Sequence, residues 1–411
     1  MELIRSMGKQ VRVLRKADIK SAINSLVQND PRDNAKLISF LGVASLIVFA
    51  LILRWKLSPV VNSDYALYYI PWYDHLKQDG LAGFRESFAN YNFPYLFLMF
   101  LATLLPLGKV VAIKLISIVF DFVLAYAVYR IVELITKSKA RGAIGFFGLL
   151  FLPTVFLNSS LWGQCDSIYV SFVMLSLPML LKGRHRLTWV LFGVAFTFKL
   201  QAIFFLPVLM YVWLKKKGDW KNPLLVIPTF ILLSIPPVLF GQPIKEALTV
   251  YARQYGYQPI LAANTPNMQY WLPQGMFDIF NSAGLAFSAA IVGACILFSL
   301  RYIKYSKKNL LWMTTFFLLL LPYILPQMHD RYFYGFEVMT LLLTILSPKL
   351  LWLTGIVQLI TVSVYAGFIM DGSRLPFSVL AVALFGVFVY VLFRFTKLSN
   401  YHHVKSMIED E

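Results

Sequence analysis

The chain has 411 residues, 58% of them hydrophobic and only 14% charged, with a mean hydropathy of +0.66. Soluble domains hold about 45–50% apolar and about 25% charged residues, so this composition excludes a soluble enzyme, a DNA-binding module and a disordered scaffold. At about 20 residues per crossing, the apolar stock supplies at most about a dozen membrane spans. The formal net charge of +18 has to be read from its distribution before any partner is inferred. Cys165 and Cys295 are the only cysteines, too few for a disulfide framework or a metal quartet.

In chain order, the first thirty-six residues are too polar for a signal peptide. Ile4, Met7, Val11 and Leu14 recur at helical spacing among Arg5, Lys9, Arg12, Arg15 and Lys16. This segment reads either as an amphipathic helix on an anionic leaflet or as a solvated basic tail. Apolar runs then follow at 37–53, 110–134, 143–158, 167–182, 187–198, 201–214, 223–240, 284–303, 309–325, 335–347, 349–369 and 376–394. They predict an all-α polytopic membrane protein with about twelve transmembrane helices, within a range of eleven to thirteen, and amphipathic helices in the outer loops.

The pair 187–214 reads as a hairpin turning inside the membrane near Phe198–Gln201, since Lys182, Arg184, Arg186 and Lys215–Lys217 then share the cytoplasmic side. Phe93–Leu107 is short for a crossing, and counting it as one would put Lys137, Lys139 and Arg141 outside. It is therefore expected as an outer-surface or re-entrant helix. With both termini cytoplasmic, most of the Lys and Arg fall inside, so the charge is topological and calls for no nucleic acid. The expected organisation is a basic segment 1–36, a membrane domain 37–395 and a cytoplasmic tail 396–411. No 20–50-residue repeat and no strong inverted repeat stands out.

On this topology two large polar connections, 54–109 and 241–283, and three short ones, 159–166, 326–334 and 370–375, lie outside. The first is studded with Tyr65, Tyr68, Tyr69, Trp72, Tyr73, Phe84, Phe88, Tyr91 and Tyr95, rings suited to the headgroup level of a bilayer. Ionisable groups at this boundary are costly and point to function. Asp64 is either a general base toward a hydroxyl acceptor or, with Ser63, the N-cap of the following helix. Asp166, in Asn158-Ser-Ser-Leu-Trp-Gly-Gln-Cys-Asp-Ser-Ile-Tyr169, either meets a ligand's hydroxyls or, with Ser167, caps the next helix. Lys199 in Phe198-Lys-Leu-Gln201 either snorkels to headgroups or holds a phosphate. In Pro326-Gln-Met-His-Asp-Arg-Tyr-Phe-Tyr334, His329 and Arg331 suit an anion clamp, against the alternative of an interfacial aromatic–Arg anchor.

No P-loop, His-Glu-x-x-His, nucleophile elbow or Asp-x-Asp pair occurs, which disfavours a soluble nucleotide-sugar donor. A base, several phosphate-directed cations and access from lipid suit a donor that is itself a lipid phosphate. At these residues the chain resembles the C-type superfamily of membrane glycosyltransferases (GT-C), which take sugars from polyprenyl phosphate, and within it the bacterial group related to the second mannosyltransferase of GPI-anchor synthesis. The likeness rests on Asp64, Tyr91-Asn-Phe-Pro-Tyr-Leu-Phe97, Trp162-Gly-Gln-Cys-Asp166, Phe198-Lys-Leu-Gln201, Asn264-Thr-Pro-Asn-Met268 and Gln327-Met-His-Asp-Arg-Tyr332. It departs from the family in having Pro94 alone where a proline pair is usual, and His329-Asp330-Arg331 where His-Glu-Arg is common.

The resemblance implies Asp64 as general base and a juxtamembrane helix at Phe93–Leu107. The expected function is an inverting glycosyltransferase moving a hexose from a polyprenyl-phosphate donor to a hydroxyl acceptor (a wall polysaccharide, teichoic acid, glycolipid or protein) on the outer face of a bacterial plasma membrane. Lys199, His329 and Arg331 are expected at the donor phosphate; Gln164, Asp166, Gln201, Asn267 and Tyr332 at the sugar or acceptor. The scattered outer carboxylates require no metal, and no cofactor beyond the lipid-linked donor is implied. The competing reading is a flippase for a lipid-linked saccharide. It would need polar residues along the cytoplasmic halves of the spans, where Asp121 and Glu133 are the main ones.

Overall fold

A computed structural model of the chain describes residues 31–254, 259–369 and 375–399. The reading of the basic N-terminal segment, most of the connection 370–375 and the tail beyond Ser399 lie outside the described residues. The chain forms two units, one ending at Leu53 and the other starting at Arg54. Helix α1 (Pro31–Leu57) occupies the described part of the first and opens the second, and its Ile38, Phe40, Leu41 and Val48 are exposed. A helix can show such a surface where its surroundings are lipid, because its backbone groups are satisfied within the segment.

In the second unit a π-helical turn (Tyr65–Tyr69) leads into α2 (Ile70–Asp79) and then α3 (Phe93–Thr103). There follow α4 (Lys109–Thr136), α5 (Lys139–Leu150), a one-turn helix Pro153–Phe156 with a π turn to Trp162, α6 (Asp166–Leu181) and α7 (His185–Phe198). Next come α8 (Leu206–Lys215), α9 (Val226–Ser234), α10 (Phe277–Tyr302), α11 (Lys307–Ile324), α12 (Tyr334–Leu346), α13 (Leu351–Ile369) and α14 (Phe377–Thr396). A two-residue parallel pairing of β1 (Ala262–Ala263) with β2 (Met328–His329) joins two of the polar connections.

The chain is an all-α membrane protein. Among the described residues six helices are long and apolar enough to cross a membrane: Ala35–Leu57, Lys109–Thr136, Lys221–Phe240, Phe277–Tyr302, Pro348–Ile369 and Phe377–Thr396. Lys139–Leu150 and Pro153–Trp162, bent by 49°, make a seventh if counted as one broken span. The other apolar runs fold as α6, α7, α8, α11 and α12, which are shorter or less apolar. Helix α3 has eleven residues and extends about 17 Å, well short of a hydrocarbon core of about 30 Å.

The run 187–214 breaks where the sequence suggested. Lys199 is extended (φ −155°, ψ 133°), after which Leu200–Phe205 wind as a 3₁₀ helix. The two arms diverge: α7 packs on α6 and α9, whereas α8 packs on α10 and α11. A helix ending among apolar neighbours leaves carbonyls that need partners. Here Asn92 Nδ2 donates to Thr197 O at 3.1 Å, and the Tyr251 hydroxyl donates to Thr197 O at 2.9 Å and also to Phe196 O.

Deep in the second unit, Arg54 Nε lies 2.9 Å from Asp121 Oδ2, which also accepts the Ser159 hydroxyl at 2.6 Å. Arg54 Nη2 donates to Leu150 O at 3.0 Å. Both members are essentially inaccessible to solvent. Glu133 faces Arg130 at 3.4 Å and accepts the Tyr129 hydroxyl. The acids that stood out in the apolar helices are thus tied to basic partners.

Candidate active site

A cavity of about 640 Å³ opens among α2, the break at Lys199 and the connection between α11 and α12. It falls within the range usual for small-molecule sites. Asp64, Gln164, Lys199, Gln201, His329, Arg331 and Tyr332 line it, drawn from four separate stretches of sequence.

Asp64 sits in helical conformation just before the π turn, and its side chain makes no cap hydrogen bond. That sets aside the N-cap reading: Asn62 Oδ1 accepts from Tyr65 N at 3.2 Å instead. Asp64 Oδ2 accepts from Trp162 Nε1 at 3.0 Å and Gln164 Nε2 at 2.7 Å. Two neutral donors on one oxygen fix the carboxylate plane and leave the other oxygen to the cavity. The loops that meet here are tied further by Asn62 Nδ2 to Trp162 O at 2.7 Å and by the Tyr65 hydroxyl to Gly163 O at 3.0 Å.

Gly163 adopts φ +87°, and a Cβ there would lie 2.4 Å from the Tyr65 ring. Gly163→Ala is expected to destabilise the protein by about 2–4 kcal/mol, through the left-handed backbone and the displaced ring. Thermal unfolding in detergent checks this; an unchanged midpoint would contradict it.

Asp166 proves not to be a ligand contact. Its carboxylate is fully buried behind the cavity wall and faces Lys199 Nζ at 2.5 Å, Asn158 Nδ2 at 3.1 Å and Arg331 Nε at 3.8 Å. The capping alternative falls as well, because the Ser167 hydroxyl donates to Ser117 O. Lys199 does line the cavity, but as one member of this ion pair rather than as a free cation or a snorkelling side chain. Arg331 is turned inward, with 14% of its side chain exposed, unlike an interfacial anchor. It lies 3.5 Å from Asp330 Oδ1 and 5.4 Å from the Trp162 ring centre. Among the described residues Arg331 Nε has no hydrogen-bond partner; it is buried and faces Asp166 Oδ2, so Asp166 orients the guanidinium that lines the cavity.

Two further expectations are corrected. Asn267 is inaccessible and lies outside the cavity wall; its amide donates to Pro322 O and Leu325 O while its oxygen accepts from Gln269 N. It satisfies carbonyls at the end of α11, which Pro322 interrupts. His329 is not a cation at neutral pH: burial, then Arg331 and Lys199, push its pKa down to about 3. The neighbouring Asp330 moves the other way. Burial raises its carboxyl to about 7, against the opposing pull of Arg331 and of Asn264 Nδ2 at 3.2 Å.

The β1–β2 pairing, with Gln327 N to Leu261 O and Asp330 N to Ala263 O, holds this wall together. Sequence reading missed Asn90 and Gln254, which also line the cavity, and it gave Tyr251 no role. It gave the Trp162 indole no part in holding Asp64. The signals were polar residues beside aromatic ones, too common in such loops to single out.

Fold and site together define a membrane protein with a cavity lined by one oriented carboxylate and two paired cations. No protein-family model matches the chain, and no curated protein matches it either.

Proposed function

We propose that the protein is an inverting, lipid-phosphate-dependent hexosyltransferase of the C-type superfamily, with about twelve membrane-crossing segments. The observation that carries this reading is Asp64, with one oxygen held by Trp162 and Gln164, in the same cavity as Lys199 and Arg331.

In the reaction the free oxygen of Asp64 takes the proton of an acceptor hydroxyl as that oxygen attacks the anomeric carbon. The bond from that carbon to the phosphate oxygen breaks, the configuration inverts and polyprenyl phosphate leaves. Negative charge grows on the leaving phosphate, so Arg331, with the Lys199 edge of its ion pair, stabilises the transition state more than the ground state. His329, Gln201 and Tyr332 offer neutral hydrogen-bonding groups to donor and acceptor, whereas Gln164, expected at the sugar or acceptor, is buried with its amide spent on Asp64 and the Tyr69 hydroxyl.

Support for the membrane orientation comes from alternate connections. Those bearing cavity residues follow Leu57, Trp162, Phe198, Ser234 and Ile324. The intervening ones carry Lys137, Lys139, Lys182, Arg184, Arg186, Lys215–Lys217, Lys304, Lys307, Lys308 and Lys349. The positive-inside rule puts the second set in the cytoplasm and the cavity outside. A bacterial plasma membrane is the proposed location, and the Arg54–Asp121 pair speaks against an open polar route for a flippase.

Charge accounting gives a pH prediction. Asp330, Asp166 and Asp64 are set against Lys199 and Arg331, so an anionic donor binds best when Asp330 is protonated. A carboxyl raised to about 7 is neutral below that pH and ionises as pH rises through it. The donor KM should therefore rise between pH 6 and pH 8, severalfold or up to about tenfold per unit of pH, and this rise should flatten in Asp330→Asn. A KM independent of pH in the wild type would contradict it.

Mass spectrometry of the envelope and of the polyprenyl-phosphate pool, with and without the gene, tests the function. Loss of one sugar from an envelope glycan, with accumulation of its polyprenyl-phosphate form, is expected. An unchanged envelope and pool would refute it.

A further inference from the structure

Lys114, on α4, is fully buried, and the reaction scheme above gives it no part. Its ammonium donates to Val60 O at 2.6 Å and to Leu161 O at 2.8 Å, and it lies 5.0 Å from the centre of the Tyr65 ring. Among the described residues these two carbonyls are its only hydrogen-bond partners. They belong to the two loops that build the base: Val60 is four residues before Asp64, and Leu161 is next to Trp162, whose indole holds the Asp64 carboxylate.

A buried ammonium is costly, and methionine would fill similar space without that cost. What the ammonium adds is two charge-assisted donors aimed at both loops at once from a long helix. The other ties, Asn62 to Trp162 O and the Tyr65 hydroxyl to Gly163 O, join loop to loop. Lys114 joins both to the helix frame. We infer that Lys114 is a positioning residue that fixes the Asp64 carboxylate for proton transfer by anchoring the loops at Val60 and Leu161 to α4. The inference rests on Asp64 being the base.

The test measures sugar transfer from a labelled polyprenyl-phosphate hexose to envelope extract. It uses Lys114→Met and Lys114→Gln, each alone and combined with Asp64→Asn, in full-length protein in proteoliposomes. Displacing a reacting group by about 1 Å can cost about 10²-fold. Lys114→Met is expected to lower kcat by about tenfold or more, with the donor KM nearly unchanged. Lys114→Gln, which keeps an N–H donor without the charge, should recover part of the loss, and it carries the test if the methionine variant does not fold.

In the Asp64→Asn background neither change should slow the residual rate further, because no base remains to be positioned. Full activity in Lys114→Met beside an inactive Asp64→Asn overturns the positioning role alone. The same fractional loss in both backgrounds overturns it too, since that marks general structural damage. An active Asp64→Asn overturns the assignment of the base itself, and the positioning role with it.

Discussion

Asp64→Asn is expected to reduce kcat for sugar transfer by about 10²- to 10⁴-fold, the usual worth of general-base catalysis, without raising the donor KM, since the charge removed is one that opposes an anionic donor. The substitution is a sharp one because asparagine is nearly isosteric and keeps an oxygen that accepts from Trp162 Nε1 and Gln164 Nε2, now 3.0 and 2.7 Å from the Asp64 carboxylate. The loops at Asn62 and Gly163 retain their own ties, so the fold stays. What is lost is an oxygen able to take up a proton. A loss confined to donor KM would instead mark Asp64 as a binding group, and a wild-type rate would remove it from the chemistry.

The second large effect falls on stability. Lys199→Met leaves the Asp166 carboxylate, which has no solvent exposure, without the ammonium 2.5 Å away. Removing one partner of a buried pair costs about 3–5 kcal/mol. Asn158 and Arg331, at 3.1 and 3.8 Å from Asp166 Oδ2, soften the loss without replacing the hydrogen bond to Oδ1. Replacing both partners, as Lys199→Met with Asp166→Asn, should recover much of it, because the buried charge goes as well. Denaturant unfolding of the two single variants and the double gives the coupling. Additive losses would mean that the pair is not an energetic unit. The double variant should still transfer sugar poorly, since Arg331 loses the neighbour that orients it.

The segments that fold as helices were legible from apolar periodicity, because each apolar run is bounded by charges or prolines. The break at Phe198–Gln201 was legible as well, since Lys199 cannot continue an apolar crossing cheaply. Asp64 stood out through an acid next to a span and through resemblance. Span length was less legible: α6, α7 and α12 have 16, 14 and 13 residues, and the same apolar count serves a crossing helix or one buried among others.

The pairings were illegible for a different reason. Arg54 with Asp121 and Asp166 with Lys199 are 67 and 33 residues apart, and local spacing carries no record of such contacts. Asn267 was read as a ligand group, yet it satisfies carbonyls where α11 ends, as Gln269 does there and Asn92 and Tyr251 do where α7 ends. Broken helices inside a membrane create that demand, and sequence alone does not say which neighbour meets it. The half-buried position of His329 beside Arg331 and Lys199, which holds its pKa down, was hidden for the same reason.

The most direct test reconstitutes the full chain in proteoliposomes with a polyprenyl-phosphate hexose labelled in the sugar and with envelope extract as acceptor, and follows both halves of the donor by mass spectrometry. The predicted result is free polyprenyl phosphate released in step with label appearing on the acceptor, both abolished in Asp64→Asn. Label that crosses the bilayer on intact donor lipid, with no polyprenyl phosphate released, would contradict transfer and establish transport instead.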